Sequence, residues 1–186
     1  MKLSQTYESL FMEFRQENPV IPLQDHPVDI VSLPFNSFPD GILPRRPLSR
    51  KREPRDFFPL PDADIPENRH FRYTLFLPRR KGRHDRLILL LHGLNEKNWK
   101  KYLPWALNMA LNTGSAVLLF PIAFHMDRAP MTWSQPRIMK NLTRMRSLLI
   151  KSLKESTFIN AAISQRLDNF PHRFYLSGYQ TAQDLK

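Results

Sequence analysis

The chain contains no cysteine. That absence removes disulfide frameworks, thiolate nucleophiles and cysteine-ligated zinc or iron–sulfur centres, and it is compatible with a reducing cytoplasm. Glycine is scarce as well, with five residues at 41, 82, 93, 114 and 178. Neither Gly-x-Gly-x-x-Gly nor Gly-x-x-x-x-Gly-Lys can be written from those positions, so phosphate-cradling loops have no support. No two glycines stand four apart, which also excludes a Gly-x-Ser-x-Gly nucleophile elbow. The histidines at 26, 70, 84, 92, 125 and 172 show no helical or zinc-type spacing. His125-x-Asp127 supplies only two ligands of a metal set, so neither a metal nor a cofactor is expected.

An uninterrupted apolar leader is missing too. Met1-Lys2 is followed by Glu8, Glu13, Arg15 and Glu17, which break every apolar stretch, so the expected location is cytoplasmic. Residues 102–126 carry no Asp, Glu, Lys or Arg over a length that could cross a bilayer. Asn112-Thr113-Gly114 interrupts the middle of that run and Pro121 its end. We therefore read a helix, a turn and a buried strand, with no membrane span.

What the chain does have is proline and positive charge. Eleven of its seventeen prolines fall at or before Pro66, which marks residues 1–66 as an extended, irregular arm and leaves 67–186 for the packed elements. Aromatic residues within the arm, such as Phe35, Phe38, Phe57 and Phe58, suit a segment laid over a surface as well as they suit a loose leader. Residues 1–66 hold 8 Lys/Arg against 10 Asp/Glu, and residues 67–186 hold 20 against 7, so the whole surplus of +11 resides in the second part. A basic face of this size fits a polyanion, but an incomplete domain would show the same surplus.

Hydrophobic periodicity orders the rest. Leu10, Phe11 and Phe14 suggest a short amphipathic helix within residues 4–18, starting near Ser4 or Thr6. Residues 70–77 alternate as a half-exposed strand, and Arg79 to Asp85 form a basic turn. Leu87-Ile88-Leu89-Leu90-Leu91 and Ala116 to Pro121 are continuous apolar runs, the pattern of strands buried on both faces. Between them lies a helix from about Lys97 to Leu111, capped by Asn112-Thr113-Gly114. Strand, helix and strand in this order predict a parallel pair with a right-handed crossover. A helix follows over 136–155, with Arg137, Lys140, Arg144, Lys151 and Lys154 on its wet side. Another runs from 157 to 167. Residues 173–179 read as extended, with a turn at Gly178, and Thr181 as the N-cap of a helix just beginning.

The informative constellation is the apolar strand that runs straight into His92-Gly93-Leu94-Asn95. At the C-terminal end of a parallel strand the next backbone amides point into the crevice where α/β proteins bind ligands. This resembles the His-Gly oxyanion loop of the α/β-hydrolase superfamily of esterases and lipases, and is similar to uncharacterised bacterial members with a long N-terminal arm. The resemblance covers about residues 70–186. It implies that residues 70–77 match the family's second strand, 97–111 its first helix and 116–120 its fourth strand. His92, Gly93 and Leu94 would form the oxyanion loop, while His125, Asp127 and Trp133 would line the cleft.

On that resemblance the fold class is α/β, an incomplete hydrolase-like domain with a mostly parallel sheet and flanking helices, preceded by the proline-rich arm. Triad residues are absent, so no catalytic residue is assigned. Ser177 precedes a glycine after a strand-like run, but serine before glycine is ordinary turn chemistry. The expectation is a truncated hydrolase-like chain, inactive alone, whose complete relatives hydrolyse ester or other acyl substrates. A C-terminal half or an oligomer partner would cover the open sheet edge. The alternative is a basic module that binds nucleic acid or another polyanion. Tyr102, Trp105 and Trp133 with Lys97, Lys100 and Lys101 could serve it, but Trp99, Tyr102 and Trp105 at helical spacing fit packing better, so nucleic acid is not the expected partner.

Overall fold

The computed structural model of the chain describes residues 8, 10–38, 41, 43, 61–80, 84–94, 96–150 and 157–186. Ser4 and Thr6, Phe57 and Phe58, Gly82, Asn95 and residues 151–156 lie outside this set. The chain divides into two compact units, each made of two stretches: Met1–Phe35 with Phe71–Pro121, and Asn36–His70 with Ile122–Lys186.

The first unit is built on five strands, β1 (Val20–Pro22), β2 (Val28–Asn36), β3 (His70–Pro78), β4 (Leu87–Leu90) and β5 (Ala116–Leu119), in the order β1-β2-β3-β5-β4. This sheet is mixed, which overturns the mostly parallel sheet expected from sequence. β1 pairs with β2 and β3 with β5 in antiparallel fashion, and β4 with β5 in parallel. Connection length supplies the reason. Five residues between β1 and β2 can only close a hairpin, whereas the long helical connection from β4 to β5 permits the parallel crossover. The same finding corrects the irregular arm, because residues 20–36 contribute two of the strands despite their prolines. Pro22 ends β1, and Pro34 stands near the end of β2, in keeping with the confinement of proline to strand margins.

Burial follows position in the sheet. β5 is flanked on both sides and is buried at every residue. β4 is the outermost strand, and Leu87, Leu89 and Leu91 are 57%, 42% and 41% exposed. The apolar run that predicted two buried faces for β4 is therefore half in water. Just past β5, Phe120 meets Phe35 of β2 and Phe71 of β3 edge-on, each at 5.5 Å between ring centroids, and Tyr73 at 6.1 Å. The crossover helix, α1 (Leu103–Thr113), follows a 3-10 turn at Lys100–Tyr102 and stops at Gly114. Gly114 has φ 64°, the left-handed conformation glycine adopts without strain, and its N–H closes the helix on the Ala110 carbonyl.

The second unit is helical: a single turn at Pro66–Arg69, then α2 (Pro136–Leu149), α3 (Phe158–Asn169) and α4 (His172–Asp184). Met139 and Leu142 of α2 and Ala161, Ala162 and Ile163 of α3 pack with Ile65, Phe124 and Trp133 into one core. The Thr157 hydroxyl caps α3 by accepting from the Asn160 N–H. α4 corrects the extended segment expected at 173–179. Its inward residues are Arg173, Ser177, Gln180 and Thr181, so the helical period is carried by polar side chains that apolar periodicity does not register. Among the described residues no helix is long and apolar enough to cross a membrane.

Candidate functional site

In the first unit the sequence-predicted loop follows β4 as expected, at the C-terminal end of the parallel pair. His92 is buried, and its Nδ1–H donates to the Gly93 carbonyl at 2.9 Å, because a carbonyl can only accept. Trp99 meets the imidazole edge-on with centroids 5.5 Å apart. Burial pushes the His92 pKa below its ordinary value, against the opposing pull of the Gly93 carbonyl and the Glu96 carboxylate. His92 thereby stays neutral at pH 7 and braces the turn.

Gly93 presents its N–H to the hydroxyl oxygen of Tyr102 at 2.7 Å. The amide therefore already holds an oxygen at the distance required of an oxyanion donor. A Cβ built on Gly93 would meet nothing closer than 3.6 Å, so glycine is not demanded there by crowding. Leu94 is exposed at the lip of the loop, and Glu96 is paired with Lys101. Tyr102 was legible in the sequence only as part of an aromatic stripe. Its ring does stack edge-on between Trp99 and Trp105, but its hydroxyl reaches the loop amide.

The remaining sequence candidates lie in the second unit, on the segment after β5. Phe124 and Met126 adopt φ 65° and φ 50°, left-handed conformations unusual for residues with side chains, and His125 stands between them. Two such residues cost about 1–3 kcal/mol each and persist only where surrounding bonds over-determine them. Here those bonds are explicit. The Ala123 N–H donates to the Thr181 hydroxyl at 2.9 Å, and the Ser177 hydroxyl donates to the Ala123 carbonyl at 2.6 Å. The Phe124 N–H and the Arg128 Nε–H both donate to Asn68 Oδ1 at 3.1 Å. The Arg166 guanidinium lies over the Phe124 ring at 3.8 Å.

Behind that segment runs a buried polar chain. Asn68 Nδ2 donates to Gln180 Oε1, Gln180 Nε2 to the Ser37 hydroxyl, and Ser37 to Asp184 Oδ1, while the other Asp184 oxygen accepts from Arg128. Burial pulls the Arg128 pKa down to about 10, against the favourable charge of Asp184, and the guanidinium remains charged at neutral pH. A second knot joins Asp62 to both Arg166 and Arg173. Sequence reasoning did not single out Asn68, Gln180, Asp62, Arg166 or Arg173, and it read Ser177 and Thr181 only as a turn serine and an N-cap. The signal that could have found them is the i, i+4, i+7, i+8 spacing of Arg173, Ser177, Gln180 and Thr181 on one helix face.

The segment so held presents His125 half-buried, with its Nδ1–H donating to the Ala123 carbonyl at 2.9 Å, and Asp127 exposed. Trp133 is packed into the core cluster beside Phe124. Ser177 is buried in α4 and committed to a backbone carbonyl. Among the described residues no three His, Cys, Asp or Glu side chains come together as a metal site. His125, Asp127 and Trp133 belong to one unit and His92, Gly93 and Leu94 to the other.

A model of a family of unknown function, DUF6051, matches residues 1–186. The chain belongs to that family. No curated protein and no solved structure matches it. None of these comparisons links the chain to the α/β-hydrolase superfamily.

Proposed function

We propose that this chain, in the cytoplasm, supplies the oxyanion-binding part of a site that hydrolyses a small acyl ester, and that the nucleophile, acid and histidine come from polypeptide other than these residues. The observation that carries the reading is the Gly93 N–H at the C-terminal end of β4, which holds the Tyr102 hydroxyl oxygen at 2.7 Å. A backbone donor that seats an oxygen in a part-buried turn is what a developing oxyanion requires. The Tyr102 hydroxyl would then be the resting occupant that a substrate carbonyl displaces. Support for a missing partner comes from β4, whose exposed leucines and outer backbone would be covered by one more strand.

The test compares the isolated chain with the assembled product recovered from its own cells. The chain alone is expected to give no hydrolysis of p-nitrophenyl butyrate and no labelling by a fluorophosphonate probe, whereas the assembled product gives both. Gly93→Pro deletes the donating N–H and should lower kcat of the assembly about 10²–10³-fold. Tyr102→Phe keeps that N–H and should preserve kcat. An assembly that takes no probe, or one whose kcat is the same in folded Gly93→Pro protein, would overturn the reading.

A further inference from the structure

Helix α2 bears cations at Arg137, Lys140, Arg144 and Arg146 and no carboxylate. Arg146 is turned inward and donates to Asp168 at 2.8 Å. Arg137, Lys140 and Arg144 are exposed, and no ion pair engages them among the described residues. At about 100° per residue these three fall within about 60° of one another on the outward side. One of them, Arg137, stands in the first turn, with Lys140 just beyond it; there the positive end of the helix dipole disfavours cations, and no acidic residue offsets them. The positive field of the dipole therefore adds to theirs.

The same side is not simply hydrophilic. Leu148, 74% exposed, continues the row of Arg137 and Arg144, and Met145 is 46% exposed beside it, with Ile150 just past the helix end. The hydroxyls that could have wetted this face are turned back onto the helix, Thr143 onto the Lys140 carbonyl and Ser147 onto the Thr143 carbonyl. What the face offers to a partner is thus three exposed cations that no ion pair engages among the described residues, and a set of large apolar side chains at its C-terminal end.

We propose that this face of α2 docks on an anionic phospholipid surface. Lipid phosphates complement the three cations, and the layer just beneath the headgroups accepts Met145, Leu148 and Ile150. Charge complementarity alone would also suit a nucleic acid. Phosphodiester chains would leave the leucine and methionine in water, however, so the lipid surface is the occupant that serves both kinds of side chain.

The experiment is flotation of the intact chain with phosphatidylcholine vesicles, with and without one part in three of phosphatidylglycerol. Binding is expected only to the anionic vesicles, and to weaken as salt is raised. Each cation contributes roughly fivefold near an anionic surface, so Arg137→Gln, Lys140→Gln and Arg144→Gln together should weaken binding by about a hundredfold. Leu148→Ser, with all charges kept, should weaken it several-fold. Because the four side chains are exposed, both variants should keep the wild-type unfolding midpoint, which separates lost docking from lost folding. Equal binding to neutral vesicles, no binding of folded protein to anionic ones, an unaffected triple variant, or tighter binding to duplex DNA at the same salt would each overturn the proposal.

Discussion

Arg128 and Asp184 meet at 2.8 Å with side chains 0% and 7% exposed. The pair ties the segment after β5 to the last helix, and both members have further duties, Arg128 on Asn68 and Asp184 on Ser37. Removal of one partner strands a buried charge. Asp184→Ala should therefore cost about 3–5 kcal/mol, seen as a lower midpoint in urea unfolding. Arg128→Met combined with Asp184→Leu leaves no orphaned charge and should recover a large part of that loss. A cost below about 1 kcal/mol for Asp184→Ala would show that the pair is wet.

Met126 tests the strained segment. At φ 50° glycine relieves the backbone, while a β-branched residue aggravates it. Met126→Gly should change stability by no more than about 1 kcal/mol, with relief of strain set against lost side-chain contact. Met126→Val should destabilise by more than Met126→Gly, although it retains more apolar surface. Thermal unfolding of the two variants side by side decides the point, and the opposite ranking would remove strain from the account.

His92 makes a prediction in pH. Its folded pKa is depressed by burial, so between that value and the ordinary value near 6.5 the unfolded chain binds the extra proton. Stability from this group is complete above about pH 6.5 and is lost as pH falls through the window below it. His92→Phe keeps an aromatic ring against Trp99 and removes the proton site. The fall in unfolding midpoint from neutral to mildly acid pH should be shallower in His92→Phe than in wild type. An equal slope would place the acid sensitivity elsewhere.

The outer face of β4 predicts association. Leu87 and Leu89 stand exposed on an outermost strand, with Leu91 exposed just past its end, the arrangement that pairs edge to edge with other chains. Leu89→Lys puts a charge in the middle of that edge. Sedimentation velocity should show concentration-dependent oligomers in the wild-type chain and fewer in Leu89→Lys. A wild type that stays monomeric at every concentration would count against a partner on this edge.

The alternating residues from His70 to Leu77, the apolar runs of β4 and β5 and the Gly114 stop were all legible in the sequence, because each is encoded by local spacing: period two, continuous apolarity, and a residue suited to positive φ. The His92-Gly93 turn after β4 was legible for the same reason. Spatial order was not. That β5 lies between β3 and β4, and that β4 is left at the margin with its leucines in water, depends on pairings between distant residues that no local pattern states. Helix α4 escaped for a different reason, since its inward face is polar and is justified only by Asn68, Ser37, Asp62 and the Ala123 backbone, which folding brings to it. The sequence by itself determined the strands β3, β4 and β5, the helix stop at Gly114 and how the charge is apportioned. Tertiary structure alone decided that the Gly93 amide holds the Tyr102 oxygen, and that buried polar groups hold the segment around His125, because side-chain hydrogen bonds between separate elements exist only once the chain has packed.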